Sequence, residues 1–270
     1  MRWRVRSAAH IPQACPNETE PPLSPHVNWQ PYTLRFRQTF EEGYRYLDRC
    51  GEFMIAASRE LKFFASEVKV TGAKLVIPEK GIQASVDPHS LELRQEAPLK
   101  DFGAFQKLSV AFAALAEKHF GPLLVEDNLY EERWILPMAN PEQALKSTMK
   151  LPVDPANDLG RALEMVPEQK HFDMMFRSGA RRLQVQVQPV TFENVTVQRK
   201  NALIYASRSH VERARRFTEQ AARLPDYPAH ALMLDAVLIE DEPPGLQGLE
   251  EQFTLLHKKA EIVRRTLSTT

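Results

Sequence analysis

The chain alternates before it does anything else. MRWRVR sets Met1, Trp3 and Val5 on one side of an extended segment and Arg2, Arg4 and Arg6 on the other. YTLRFRQTF repeats the pattern, with Leu34 and Phe36 opposed by Arg35 and Arg37. RRLQVQVQPVTFENVTVQ gives it most clearly, with Leu183, Val185 and Val187 against Gln184, Gln186 and Gln188, and its Pro189 implies an edge or a bulge. A period of two with one apolar side predicts strands of a half-buried antiparallel sheet, so the arginines of MRWRVR read as its wet face. Shorter runs, EVKVTG, AKLVIPEKG, GIQASVD and SLELRQEA, are separated by Gly72, Gly81 and Pro88 and predict a meander. YEERWILPMA predicts a strand closed by Pro137 and Pro141, ALIYAS another, and HALMLDAVLIE a buried one.

Between the strands the period lengthens. FEEGYRYLDRCGEFMIAASRELKFF predicts a helix with Tyr44, Leu47, Met54 and Leu61 on one stripe, weakened by Gly51 at its middle. DFGAFQKLSVAFAALAEKHFG keeps Phe105, Leu108, Phe112 and Leu115 at helical spacing and stops at Gly121. PANDLGRALEMV, RSHVERARRFTEQAARL and LQGLEEQFTLLHKKAEIVRRTL predict further helices. Strands and helices come in runs and not in strict alternation, so the class is α+β. The expected organisation is an N-terminal strand and proline-rich arm over 1–31, then two similar sub-domains over 32–150 and 151–270. Each would be an antiparallel sheet packed with long helices.

Composition adds limits. Of 270 residues, 43% are hydrophobic, enough for a sizeable core, and the formal net charge is zero. No run approaches the roughly 18 apolar residues of a membrane helix, and the N-terminus lacks the apolar segment of a secretory signal. Two cysteines, Cys15 and Cys50, outline neither a disulfide framework nor a zinc site, which fits a cytoplasmic protein. Glycine-rich phosphate loops, nucleophile elbows and metal-ligand spacings are missing, and the eight histidines are scattered. No cofactor and no metal are expected.

Net neutrality hides segregation. Nine basic residues fall between Arg177 and Arg216, against Glu193 and Glu212 alone; from Leu224 to His257 there are seven acids and no Lys or Arg. Such blocks pair within one fold, or orient association between chains through opposed fields, or bind nucleic-acid phosphates through the basic block. The association reading puts Arg208, Arg213 and Arg216 on one surface and Glu240, Asp241 and Glu242 on the other. Trp3 would dock the N-terminal strand, on its own chain or on a neighbour's sheet.

Two local features qualify this picture. Asp235 interrupts the apolar run LMLDAVLI, so it reads as an ion-pair partner of an arginine, as a strand-end residue facing solvent, or as a catalytic base with a tuned pKa. In NLYEERWIL, Glu131 and Arg133 share one strand face while Glu132 lies on the other beside Trp134, which predicts an ion-paired sheet.

Three stretches, FQKLSVAFAALAEKHFGPLLVEDNLYEERWILPMAN, ALMLDAVLIEDEPP and LEEQFTLLHKKAEIVRRTL, resemble a sporadically distributed bacterial family of proteins of about this length with no established biochemical function. They look like its central helix and following strand, its late strand with an aspartate, and its terminal helix. The family strand tends to carry a second acid two positions after Asp235; here that position is Val237. The resemblance implies the α+β fold. The function expected from the residues is a binding or assembly module, self-associating or meeting another protein, and not an enzyme. The alternatives are a nucleic-acid-associated protein using the 177–216 block and a hydrolase or transferase with a site built from scattered His and Asp.

Overall fold

The structure is a computed structural model that describes residues 29–41, 45–69, 71–96, 102–121, 123–149, 172–192, 228–241, 243 and 245–269. Its elements are β1 (Gln30–Phe40), α1 (Tyr46–Glu60), β2 (Phe64–Lys69), β3 (Gly72–Ile77), β4 (Ile82–Val86), β5 (Ser90–Glu96), α2 (Phe102–Phe120), β6 (Val125–Met138), α3 (Pro141–Met149), β7 (Phe172–Ser178), β8 (Arg181–Thr191), β9 (His230–Glu240) and α4 (Leu249–Thr269). The nine strands form one antiparallel sheet in the order β2-β3-β4-β5-β1-β6-β9-β8-β7. The fold is therefore α+β. Strands of 32–150 and of 151–270 share the sheet: β1 runs against β6 from Gln30 opposite Ile135 to Phe40 opposite Val125, and β6 runs against β9 from Asn128 opposite Glu240 to Met138 opposite His230.

Period-two patterning decides which face goes where. Leu34 and Phe36 of β1, Leu91 and Leu93 of β5, Tyr130 of β6 and Leu234 and Leu238 of β9 are buried on one face. That face carries α2 and α4: Phe105 and Phe253 meet edge to face, and Phe253 stands against Tyr130 at 4.6 Å between ring centroids. The aromatic layer extends to α1, whose Phe53 packs on Phe112 and Phe120 of α2. Burial of such rings is the main stabilising term, roughly 3–5 kcal/mol lost for each Phe→Ala.

The first helix forms over Tyr46–Glu60, inside the predicted span, and its buried stripe is Tyr46, Cys50, Phe53, Met54 and Ala57. Leu47, expected on the stripe, is 65% exposed. The reason is size: Tyr46 and Phe53, seven positions apart, claim the α2 side with their rings and turn Leu47 outward. Pro141 does not close a strand but opens α3. Asn140 Oδ1 accepts the Gln143 N–H and Gln143 Oε1 accepts the Ala139 N–H, both at 2.8 Å, a reciprocal cap with proline in the first turn. Pro189 pairs with Leu232 of β9 without a register shift, so within the β8–β9 ladder it makes no bulge, and the described β7 ladder begins at Phe172 opposite Val187. ALIYAS, PANDLGRALEMV and RSHVERARRFTEQAARL lie outside the described residues, as does MRWRVR. Among the described residues no helix is long and apolar enough to cross a membrane.

Candidate interaction surface

Three places concentrate polar or exposed groups. The first is the sheet face opposite α2 and α4. Arg35 bridges Glu92 at 2.7 Å and Glu131 at 3.3 Å, and Arg133 holds both Glu131 and, at 2.8 Å, Asp235. The chain of charges thus crosses β5, β1, β6 and β9, because Arg35 faces Glu131 and Arg133 faces Asp235 in the ladders. Glu131 and Asp235 are buried. Burial and the neighbouring Glu131 charge raise the Asp235 carboxyl to about 6 against the pull of Arg133, and its Oδ1 has no hydrogen-bond partner. Asp235 is thus an arginine's ion-pair partner and also a group with a raised pKa.

The second place lies on the helix-bearing face. Glu132 accepts the Trp134 indole N–H at 3.1 Å and faces His257 Nδ1 at 3.1 Å. The carboxylate favours the charged imidazole and raises its pKa, against partial burial. Arg264 lies 3.5 Å over the Trp134 ring. A cavity of about 220 Å³ adjoins this cluster, lined by Phe102, Phe105, Phe253, Glu132 and His257. Glu131 and Glu132 therefore serve opposite faces, as their alternation predicts.

The third place is the sheet's end. β7 borders β8 alone among the described strands, and Met175 and Phe176 are 52% and 47% exposed. Beside it runs a groove of about 490 Å³ whose walls include Phe176, Leu183, Leu238, Leu255 and Val263, with Arg177, Arg181 and Lys259 at its rim. Strand β7 was not legible as a strand; the signal was Ser178-Gly179 between two β-capable runs, the mark of a hairpin.

The charge blocks meet inside the chain where they are described. Arg181 holds Glu240 at 2.7 Å and Arg182 holds Asp241 at 2.5 Å. Glu240 is buried. Arg208, Arg213, Arg216, Glu242 and Trp3 lie outside the described residues. Among the described residues no group of three or more His, Cys, Asp or Glu is placed to hold a metal ion. The fold defines the class, an α+β protein built on one nine-stranded antiparallel sheet. No family model, curated protein or solved structure matches the chain.

Proposed function

We propose that this protein is a non-catalytic binding and assembly module that takes its partner along the β7 edge. One observation carries the reading: a regular strand that borders β8 alone among the described strands, with half-exposed Met175 and Phe176, beside an apolar groove. Unpaired backbone groups beside exposed apolar side chains form a template for another chain. Glu240 and Asp241 are engaged by Arg181 and Arg182, so Arg177 is the described residue of the basic block with which a partner's acid would pair. The reading keeps two similar sub-domains over 32–150 and 151–270 that share one sheet: among the described residues the first holds β1, α1, β2–β5, α2, β6 and α3, and the second β7–β9 and α4.

The test is affinity capture from native cell extract by wild-type protein and by Met175→Pro. Loss of bound protein on substitution is the expected result, a second tagged copy of the chain counting among the bound proteins. A bound set indifferent to the substitution would overturn the reading.

A further inference from the structure

Resting on that reading, we infer that the occupant of the β7 edge is a second copy of this chain, paired antiparallel to it about a twofold axis through Met175. The hairpin geometry comes first. Ser178 opposes Arg181 across Gly179 and Ala180, a two-residue connection with Gly179 at φ +61° in its first position, the placement a type II′ turn requires. The closing pair of such a hairpin exchanges both backbone hydrogen bonds, and hydrogen-bonded pairs then alternate along the ladder. Ser178, Phe176, Met174 and Phe172 therefore direct N–H and C=O toward β8. Arg177, Met175 and Asp173 direct theirs out of the sheet.

Only registers that set outward residues opposite outward residues make a new ladder. The register centred on Met175 does so, placing Met175 opposite its own copy. It also sets Asp173 opposite the partner's Arg177 and Met174 opposite the partner's Phe176. The Met175 match falls once, on the axis, and the other two occur twice, because the twofold repeats them. Both charges are available for it. Asp173 touches the Gln184 amide at 3.1 Å, Arg177 bonds the Gly179 carbonyl at 3.3 Å, and among the described residues neither has an ion-pair partner. Within its own chain Arg177 faces a like charge, Arg182, across the ladder. The arriving Asp173 would supply the missing acid. On the other side of the strand the partner's Met174 would stand over Phe176, at the mouth of the apolar groove. A twofold interface must complement itself, and this strand does. Backbone pairing would give affinity, and the crossed Asp–Arg pairs would fix the register.

The test is sedimentation equilibrium on the purified full chain over a wide concentration range. The wild type should reach twice the 30.9 kDa chain mass. Asp173→Arg and Arg177→Asp should each weaken self-association about tenfold or more, since each replaces two attractions by two repulsions. An equimolar mixture of the two variants should regain wild-type association, because Arg at 173 then meets Asp at 177 and Asp at 173 meets Arg at 177. Recovery on mixing shows that both variants are folded. Met175→Pro, which removes only an outward N–H, should leave a folded monomer. A wild type of 30.9 kDa at every concentration would overturn the inference, as would a mixture no better than its components. If the purified chain is monomeric yet captures another protein in a manner sensitive to Met175→Pro, self-pairing fails and the module reading stands.

Discussion

The two ends of the sheet are built differently. At the β2 end the ladder with β3 slips between Ala65 and Glu67, a bulge that bends the edge. Glu67 is held by Lys69 and by Lys74, so three charged side chains crowd the strand next to the exposed Val68. At the β7 end the ladder with β8 runs through seven pairs from Phe172–Val187 to Ser178–Arg181 without a slip. Its middle residues are Met174, Met175 and Phe176, with one acid and one base flanking them. Bulges and charges are the usual means by which sheets refuse further strands. The β2 end has both a bulge and a charge cluster, whereas the described β7 ladder has no bulge and carries Asp173 and Arg177 at either side of its apolar middle. The difference supports the proposal that β7 is a surface for pairing, with Asp173 and Arg177 selecting the partner.

The largest expected effect comes from giving β7 the protection that β2 has. Met175→Lys places two ammonium groups face to face on the proposed twofold axis. Light scattering should then report a monomer, with the melting temperature of the folded chain little changed. Proline separates the two sides of the same strand. At Met175 it should abolish association alone, but at Met174, whose N–H points to β8, it should destabilise the hairpin and broaden or lower the melt.

The reverse change should have a smaller effect. Glu67→Val with Lys69→Val strips the charges from β2 while its bulge remains. Concentration-dependent association beyond a dimer is expected in light scattering. Unchanged mass would show that the bulge by itself closes that edge.

The middle of the sheet separates stability from association. The Asp235 carboxyl is raised from 3.8 to about 6 in the folded protein. The native state therefore takes up a proton that the unfolded chain does not, as pH falls from above 6 toward 4. Its contribution is fully present below 3.8 and lost as pH rises through about 6. His257 acts with the same sign at higher pH: its contribution is present below 6.5 and lost as pH rises through its raised value. Denaturant titrations should show stability falling from pH 4 to pH 7 by an Asp235 share on the order of 1–3 kcal/mol, given about 1.4 kcal/mol per pKa unit. Asp235→Asn should remove most of that slope without changing the assembled mass.

The smallest effect is expected in α1. Gly51 is exposed mid-helix, and a Cβ there meets nothing within 4 Å. Gly51→Ala should stabilise the fold by about 0.5–1 kcal/mol, read as a higher denaturant midpoint, again with no change in association.

Much of the fold was legible because alternation and helical period were strong where burial is one-sided. Leu34, Phe36, Leu183, Val185 and Val187 were read on the correct strand face, and so were Glu131, Glu132, Arg133 and Trp134. One acid in an apolar run offers an arginine partner for Asp235 as one reading among several, and Arg133 is that partner. Other features were hidden for physical reasons. The α3 cap depends on reciprocal side-chain bonds of Asn140 and Gln143, and proline at its first position resembles a terminator. Leu47 lost its place to larger rings that only the tertiary packing brings together. Strand β7 was least legible of all. FDMMFRS has no clean alternation, because an edge strand with both sides partly wet is under weak patterning pressure. Charge segregation marks 177–216 and 224–257 in the sequence, and where the two blocks are described Arg181 and Arg182 serve Glu240 and Asp241 within the chain.

Residue-resolved amide hydrogen exchange along β7 reads the proposed pairing one amide at a time. In dilute protein the amides of Met174 and Phe176, bonded to β8, should exchange slowly, and those of Asp173, Met175 and Arg177 quickly. In concentrated protein the account predicts that the three outward amides become protected together, and that Met175→Pro keeps those of Asp173 and Arg177 fast. Outward amides that exchange equally fast at both concentrations would contradict it.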